Sequence, residues 1–438
     1  WTFNLRKGAK FHSGNEVTAE DVVYSFTRAL KLDFAPIWML DQFVPSPDNI
    51  KQVDEYTVSI TTNTKLPEGL MAAVMGVQGI GYVVDKEVVE EHATEEDPWA
   101  YEWLQTHDAG SGPFELVEWS RNERVVMKAF EDYWEGAPKL NNVTFVAMPE
   151  RTSQKFSLSK GDVDIAWNLL PNQVEEFKGR EGFDVIEQPS WDITYVAMNV
   201  GKEPFDDEKV RDAVKYAINY KAIIEGIMDG AAIPGQSFVP YGMAGHVDTI
   251  MYQQDLEKAK KLLEEAGYPD GFETNLLCQP TSPRKEIATQ VQQDLAKIGI
   301  TANIKQMVAA QMYETYRAQD HEMIVAGWGV DYADAQSLTM PFAHCRTASE
   351  DAKVQQLAWR NMAVNPELTD LVEEANKTMD PEERIEMFEE IQKRSMDWGP
   401  FAIMFYPLNQ IVTKDIVKDL KLPPNDSYME FYEVYKTE

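Results

Sequence analysis

The chain has 438 residues, with 73 acidic and 41 basic side chains and a formal net charge of −32 at pH 7. A single hydrophobic core rarely grows beyond ~250–300 residues, so the length predicts at least two domains. The acidic excess argues against nucleic acid as the main partner, because phosphate binding needs clustered Lys and Arg. No apolar run approaches the ~20 residues that a membrane-spanning helix needs.

The first part of the chain predicts one clear helix among short strands. Thr18 and Asp21 have the spacing of a capping box, and the apolar residues that follow share one face of a helix that ends near Leu30. Strand-like segments surround this helix, and the turn residues Gly-Ala-Pro at 136–138 separate the last two of them. These segments are residues 1–5, 56–61, 114–119, 124–129 and 142–148.

The second part of the chain alternates helices with strands. Apolar residues at helical spacing predict four helices. They span 208–228, 255–266, 283–298 and a segment that starts with Asp380 and Pro381. Strands are predicted at 301–307, 323–326 and 401–405. Such an alternation between residues 200 and 400 predicts an α/β layer domain.

No catalytic motif is found in the sequence. GxSxG, HExxH, a Walker loop and a GxGxxG turn that opens a helix are all missing. The six histidines are scattered without the spacing of metal ligands, and 73 acidic residues guarantee carboxylate pairs by chance. We therefore expect neither an enzyme nor a bound cofactor or metal. A hydrolase that uses paired carboxylates is a remote alternative.

Three local features have the residue types of a ligand site. Residues 327–334, Gly-Trp-Gly-Val-Asp-Tyr-Ala-Asp, follow an apolar strand and are rich in glycine and aromatic side chains. Arg284 stands at the start of a predicted helix, where a cation opposes the helix dipole by roughly 0.3–1 kcal/mol. Trp167, Trp191 and Trp328 each lie near a predicted strand. An ordinary loop, a solvated arginine and core packing are the simpler explanations of the same features.

Motifs distributed along the chain resemble those of one protein family. They are WTFNLRKGAKFHSG at residue 1, TAEDVVYSFTRAL at 18, GSGPFELVEW at 110, YWEGAPKL at 133, GDVDIAW at 161, VAMNVGKEPFDDEKVRDAVKYAINYKAII at 196, DLEKAKKLLEEAGYPDG at 255, IATQVQQDLAKIGI at 287 and GWGVDYADA at 327. In this order they are similar to the dipeptide/oligopeptide class (family 5) of extracytoplasmic solute-binding proteins. These proteins are the ligand-capturing components of ATP-driven (ABC) importers.

The resemblance implies a two-lobed, clam-like α/β fold of the class II periplasmic-binding-protein type, with an extra subdomain in the first lobe. The extra subdomain would span 1–145, the core of lobe I 146–198 and 408–438, and lobe II 199–407. The chain would cross the hinge near 198–200 and again near 406–409. Family members usually carry a further stretch before the first motif, which adds a strand to lobe I. We expect that strand to be missing from this chain.

The resemblance also implies how a ligand is held. In peptide-binding members, an Asp at the place of Asp331 pairs with the α-ammonium of the ligand, and an Arg placed like Arg284 pairs with its carboxylate. Arg offers a carboxylate a planar, bidentate fork. Anchors for both termini would select short peptides, because two extended residues span only ~7 Å. The expected pocket walls are Trp328, Tyr332, Trp191 and Trp167.

The implied function is periplasmic capture of a short peptide or other small molecule by a monomer, followed by delivery to a membrane permease. A lipid tether outside the membrane is the alternative location. Other family members bind oligosaccharides, opines or metal chelates. A sugar binder would rely on tryptophan faces and not need Arg284, whereas a metal-chelate binder would use a free histidine such as His344 or His321. Cys278 and Cys345 either form a disulfide or remain two buried thiols.

Overall fold

The computed structural model of the protein describes residues 1–34, 36–425 and 429–437. Its strands are β1 (Thr2–Asn4), β2 (Ile50–Asp54), β3 (Thr57–Ile60), β4 (Phe114–Ser120), β5 (Arg124–Ala129), β6 (Asn142–Val146), β7 (Ile165–Trp167), β8 (Phe183–Pro189), β9 (Ile193–Met198), β10 (Ala232–Pro234), β11 (Glu273–Cys278), β12 (Thr301–Gln306), β13 (Met323–Trp328), β14 (Phe401–Lys414), β15 (Val417–Lys418) and β16 (Tyr435–Lys436). Its α-helices are α1 (Ala19–Leu32), α2 (Trp38–Asp41), α3 (Glu68–Met75), α4 (Lys86–Glu91), α5 (Tyr101–Leu104), α6 (Arg151–Lys160), α7 (Pro171–Glu175), α8 (Glu208–Ala217), α9 (Tyr220–Ala222), α10 (Leu256–Glu265), α11 (Arg284–Ala296), α12 (Ala309–Arg317), α13 (Gln336–Ala343), α14 (Leu357–Arg360), α15 (Pro366–Ala375) and α16 (Pro381–Trp398).

A large mixed sheet with strand order β10-β14-β9-β13-β11-β12 organises the second half of the chain. β11 pairs in parallel with β12 and β13, and α11 and α12 connect these three strands. Parallel strands joined by crossover helices are the βαβ arrangement expected of an α/β layer. The predicted alternation of helices and strands in this part of the chain is therefore confirmed.

The central strand β9 shows why this sheet lies in the interior. All six of its side chains are buried, and they alternate between the two sheet faces. Val196 and Met198 belong to one hydrophobic cluster, whereas Tyr195 and Ala197 belong to another on the opposite face. Because both faces are covered by apolar side chains, polar residues that serve a ligand are expected at the strand ends rather than along the strands.

The long strand β14 connects two groups of strands. Its first half pairs with β9 and β10, and its second half, from residue 408 onward, pairs with β8 and β7. The passage between the two groups falls within the predicted crossing at 406–409. The other predicted crossing, near 198–200, lies at the end of β9. Because β9 pairs with β13 and β8 pairs with the second half of β14, the chain passes between the two groups of strands at residues 190–192.

The N-terminal part contains two small antiparallel sheets, β1-β3-β2 and β4-β5-β6. The capping box predicted at the start of α1 is present, and the backbone N–H of Thr18 donates to Asp21 Oδ2 at 2.9 Å. The helix predicted over 208–228 is shorter, because α8 ends at Ala217 and Ile218 is extended. Asn219 then caps a separate turn, its side chain accepting from the N–H of Ala222.

The disulfide considered between Cys278 and Cys345 is not formed, and both residues are buried free thiols. Cys278 ends β11 within the cluster on one face of the large sheet, whereas Cys345 packs in a separate cluster with Trp359. Burial raises the pKa of the Cys345 thiol to about 11, so it remains protonated at neutral pH. Among the helices that the structure describes, none is long and apolar enough to cross a bilayer.

Candidate ligand-binding site

Two glycines at the end of β13 let polar side chains approach the backbone. A Cβ atom at Gly327 would collide with Nη2 of Arg284. A Cβ atom at Gly329 would lie 2.7 Å from Oδ1 of Asp192. A missing side chain in or beside a strand often marks such a close approach. The glycine-rich loop noted in the sequence therefore begins where Arg284 and Asp192 converge on one strand end.

Arg284 is the first residue of α11, as predicted from its helix-start position. Its Nη1 donates to the backbone carbonyl of Ala326 at 2.8 Å and to Thr194 Oγ1 at 3.2 Å. Burial lowers the pKa of the Arg284 guanidinium, yet Arg remains charged in proteins. Within the described part of the chain no salt bridge involves Arg284. Its hydrogen-bond acceptors are neutral, and the carboxylate of Asp192 adds a favourable electrostatic interaction without a salt-bridge contact. Such a group is suited to a ligand carboxylate.

Asp331 lies in the loop that follows β13, and it is largely buried. Its Oδ2 has no hydrogen-bond partner among the residues that the structure describes. Burial alone raises the pKa of the Asp331 carboxyl to about 7. An ionised carboxylate without a partner is costly in a poorly solvated place, and a nearby cation removes that cost. The carboxylate is thus arranged to receive a positively charged group.

The loop is held by an ion pair that the sequence reasoning missed. Arg384, in the first turn of α16, donates from Nη1 and Nη2 to the two carboxylate oxygens of Asp334, each at 2.7 Å. The two side chains are only 9% and 11% exposed. An arginine in the first turn of a helix opposes the dipole, which is the same signal that drew attention to Arg284. Applied to α16, this argument would have selected Arg384.

Tyr332 is a second residue that holds the loop in place. Its ring is 4% exposed and belongs to the hydrophobic cluster of the N-terminal part, which includes Leu40 and Phe43. Its hydroxyl donates to Gln336 at the start of α13. The expected role of Tyr332 as a pocket wall is not what the structure shows. The side chain is buried in a core contact that joins the loop to the N-terminal part.

The three tryptophans predicted as pocket walls fall into two places. Trp328 and Trp191 are half-buried against the same cluster of the large sheet, and Trp328 Nε1 has no acceptor in the described chain. The backbone N–H of Trp191 donates to the carbonyl of Pro424 at 3.0 Å. Trp167 lies in β7, packed against the C-terminal residues. The structure thus groups Trp328 and Trp191 with the loop but not Trp167.

A cavity of about 430 Å³ lies where β14 passes between its two groups of partner strands. Its walls come from both groups, with Trp167 and Arg151 on one side and Pro283 and Met228 on the other. Arg151 Nη1 also donates to the carbonyl of Ser282 at 3.3 Å, next to the segment that carries Arg284. Trp167 therefore shares a cavity with the start of α11, although it lies apart from the loop.

Each histidine considered for metal chelation has Nε2 in a side-chain contact and Nδ1 buried without a partner in the described chain. His321 Nε2 lies 2.9 Å from Asn361 Oδ1, and burial lowers the pKa of His321 to about 4. His344 Nε2 lies 3.2 Å from Glu373 Oε1. Over residues 1–34, 36–425 and 429–437, no group of three or more His, Cys, Asp or Glu side chains is arranged to hold a metal ion.

Comparison with known proteins agrees with this architecture. The model of the bacterial extracellular solute-binding proteins, family 5 Middle, matches residues 1–350. A dipeptide-binding protein of Escherichia coli is 26% identical over 449 residues, covering 96% of this chain and 81% of that protein. Heme-binding protein A of Haemophilus influenzae is 30% identical over 439 residues, covering 93% of this chain and 77% of that protein.

One solved structure that is similar to this chain contains a bound peptide. The ABC transporter-associated periplasmic binding protein DppA from Helicobacter pylori, in complex with the peptide STSA, superposes with a TM-score of 0.82 at 26% identity. The alignment covers 100% of this chain and 86% of that chain. The fold class expected from the sequence motifs, a two-lobed binding-protein fold, is confirmed. The chain belongs to the bacterial extracellular solute-binding proteins of family 5.

Proposed function

We propose that this protein captures short peptides between two hinged lobes and presents them to the membrane permease of an ATP-driven importer. The observation that carries the proposal is the presence of two largely buried groups of opposite charge beside one strand end. Asp331 is a largely buried carboxylate with an oxygen unpartnered in the described chain, and Arg284 is a guanidinium without a described salt bridge. A peptide brings the two complementary charges, an α-ammonium and an α-carboxylate, on one molecule.

The two anchors act together on the peptide termini. The peptide ammonium neutralises Asp331, and its carboxylate accepts from the guanidinium of Arg284. Truncation of one partner in a buried, hydrogen-bonded pair costs ~2–5 kcal/mol, which corresponds to a loss of roughly 30-fold to several thousand-fold in affinity. The names of the dipeptide-binding relative and of the peptide complex support a peptide over other solutes.

The domain organisation belongs to the same proposal. Residues 1–145 form the extra subdomain of lobe I, and 146–189 with 408–438 form its core. Lobe II then comprises 193–407, because β9 pairs within the large sheet. The segments 190–192 and 406–409 are the hinges. Two short connections permit one lobe to rotate on the other through few backbone angles, so that a ligand in the cleft is enclosed and desolvated.

The remaining properties follow from this role. The protein acts as a monomer in the periplasm, or tethered outside the membrane, and binds its ligand without chemical change or a cofactor. It has no need of nucleic acid. A metal-chelate ligand is disfavoured because the described residues contain no group of three or more side chains arranged to hold a metal ion. A sugar ligand is disfavoured because a neutral sugar would leave the buried carboxylate of Asp331 without a counter-charge.

The test combines identification and titration of the ligand. Native mass spectrometry of protein purified without added ligand identifies what is retained, and calorimetry with a dipeptide such as Ala-Gln measures affinity. Asp331→Asn and Arg284→Ala are each expected to weaken binding at least 30-fold. The matched controls are Asp351→Asn and Arg317→Ala, whose side chains are exposed. Unchanged affinity in both site variants, or no dipeptide binding by the wild type, would refute the proposal.

A further inference from the structure

One partly buried arginine beside the site has a buried N–H group without an acceptor in the described chain. Arg384 is paired with Asp334, Arg284 donates to Ala326 and Thr194, and the buried Arg211 donates to three backbone carbonyls. Arg360, the last residue of α14, makes no side-chain hydrogen bond or salt bridge to any residue in the described ranges. Its Nε is buried and unpartnered there.

The guanidinium of Arg360 is positioned by aromatic rings instead of by charges. Its Cζ lies 5.5 Å from the ring centroid of Tyr316 and 5.6 Å from that of Trp328. Such stacking keeps a guanidinium plane oriented while it leaves the N–H groups at its edge available. The residue is only partly buried, and no acidic side chain in the described chain forms a salt bridge with it.

A second unpaired donor lies at the same place. The indole Nε1 of Trp328, the residue on which Arg360 stacks, is also buried and has no acceptor in the parts of the chain that the structure describes. A buried donor left without an acceptor costs roughly 1–3 kcal/mol, so two neighbouring ones indicate an acceptor supplied from outside the chain. Both are N–H donors, and one is cationic, so the matching acceptor is an anion.

The location relates this donor pair to the proposed peptide site. Trp328 pairs with Ile193, and Gly327 pairs with Thr194, in the antiparallel ladder of β13 and β9. Side chains of successive strand residues point to opposite faces. Arg284 hydrogen-bonds to Thr194 on one face, whereas Arg360 stacks on Trp328 on the other. Two guanidinium groups therefore approach the same strand end from opposite faces of the sheet.

We propose that Arg360, together with Trp328 Nε1, forms a second anion subsite that selects peptides carrying a side-chain carboxylate. This inference rests on the proposed peptide function, in which Arg284 takes the α-carboxylate. The side-chain carboxylate of a Glu or Asp residue in the ligand accepts hydrogen bonds from the Arg360 fork and from the indole N–H. Peptides without that group leave both donors buried and unpaired and bind more weakly.

The experiment compares dipeptides that differ only in charge at one side chain. Calorimetry at pH 7.5 measures Ala-Glu against Ala-Gln and Glu-Ala against Gln-Ala, with ligand-free wild type, Arg360→Gln, Arg360→Lys and the exposed control Arg317→Gln. In the wild type, at least one Glu peptide is expected to bind ~10–100-fold more tightly than its Gln analogue. Arg360→Gln should bring that ratio within about twofold of unity while it changes the affinity for the Gln peptide by less than about threefold.

The possible outcomes distinguish failure of this inference alone from failure of the proposed function. Equal affinities of the wild type for Glu and Gln peptides refute the second subsite and leave the peptide function in place. If Arg360→Gln weakens both peptides equally, the role of Arg360 is structural and the inference is wrong. Absence of binding to all four dipeptides defeats the peptide function and this inference together. If Arg360→Gln does not fold, the wild-type ratio and its reduction in Arg360→Lys decide.

Discussion

Replacement of Asp331 by Asn should stabilise the ligand-free protein while it removes most of the ligand affinity. Burial raises the pKa of Asp331 from 3.8 to about 7, a difference of about 3 pH units. Each unit corresponds to 1.36 kcal/mol, so ionised Asp331 lowers the free energy of unfolding by up to about 4 kcal/mol at pH 8. Asn has nearly the same shape without the charge, but its unpaired amide costs about 1–3 kcal/mol. The net stabilisation is about 1–3 kcal/mol.

The pH dependence identifies the cause. A carboxyl group whose pKa is higher in the folded state imposes no ionisation penalty below about pH 4, where both states are protonated. The penalty grows between pH 4 and pH 7 and is complete above pH 7. The advantage of Asp331→Asn over the wild type should therefore be largest near pH 8 and should shrink as the pH falls toward 4.

Urea unfolding followed by tryptophan fluorescence measures this effect. Wild type, Asp331→Asn and the exposed control Asp351→Asn are freed of ligand and unfolded at pH 8 and at pH 5. The midpoint of Asp331→Asn should exceed the other two at pH 8, by more than it does at pH 5. A midpoint below that of the wild type at pH 8, or a difference independent of pH, would show that burial of the carboxylate is not what perturbs Asp331.

Three further outcomes are expected. The dipeptide affinity of the wild type should fall as the pH drops below about 7, by a factor that approaches ten per pH unit, because a protonated Asp331 must lose its proton before it can pair with an ammonium. Calorimetry from pH 5.5 to 7.5 measures this dependence, and Asp331→Asn should abolish it. Gly327→Ala should displace Arg284 and weaken binding at least tenfold, whereas Gly69→Ala, which meets no atom within 4 Å, should not. Asp334→Ala leaves the buried guanidinium of Arg384 without its ion-pair partner, so it should lower the free energy of unfolding by about 3–5 kcal/mol, as measured by the urea midpoint.

Local sequence patterns predicted those elements that depend on local interactions. The capping box of α1 and the apolar spacing of α10 and α11 involve residues within one or two turns of each other. The helix predicted over 208–228 failed because its interruption at Ile218 depends on a distant group. The backbone N–H of Asn219 donates to Asp294 in α11, and no periodicity within the segment reveals that partner.

The candidate site divides in the same way. Asp331 and Arg284 were selected because they stand at motif positions, and the structure places both beside the end of β13. Asp334 and Arg384 are 50 residues apart, so their pairing became visible only in the folded chain. The sequence could not predict that Arg360 lacks a salt bridge either, because its surroundings include the rings of Tyr316 and Trp328, which belong to other elements. The sequence shows which residues carry charge, whereas only the folded structure shows which charged side chains lack a partner.

The net charge of −32 therefore says little about which ligand the cleft accepts. At physiological ionic strength, charges on the surface are screened over about 8 Å, whereas groups inside a closed cleft interact at hydrogen-bond distance in a poorly solvated environment. The arginines near the loop differ in their partners. Arg384 forms an ion pair with Asp334, whereas Arg284 and Arg360 form no salt bridge in the described chain and can donate to a ligand. Two carboxylates lie near them: Asp331, whose Oδ2 has no partner in the described chain, and Asp192, which interacts with Arg284. An acidic protein with this arrangement is expected to favour ligands that are themselves zwitterionic or acidic, because neither Arg284 nor Arg360 forms a salt bridge within the described residues and the charges on the distant surface are screened.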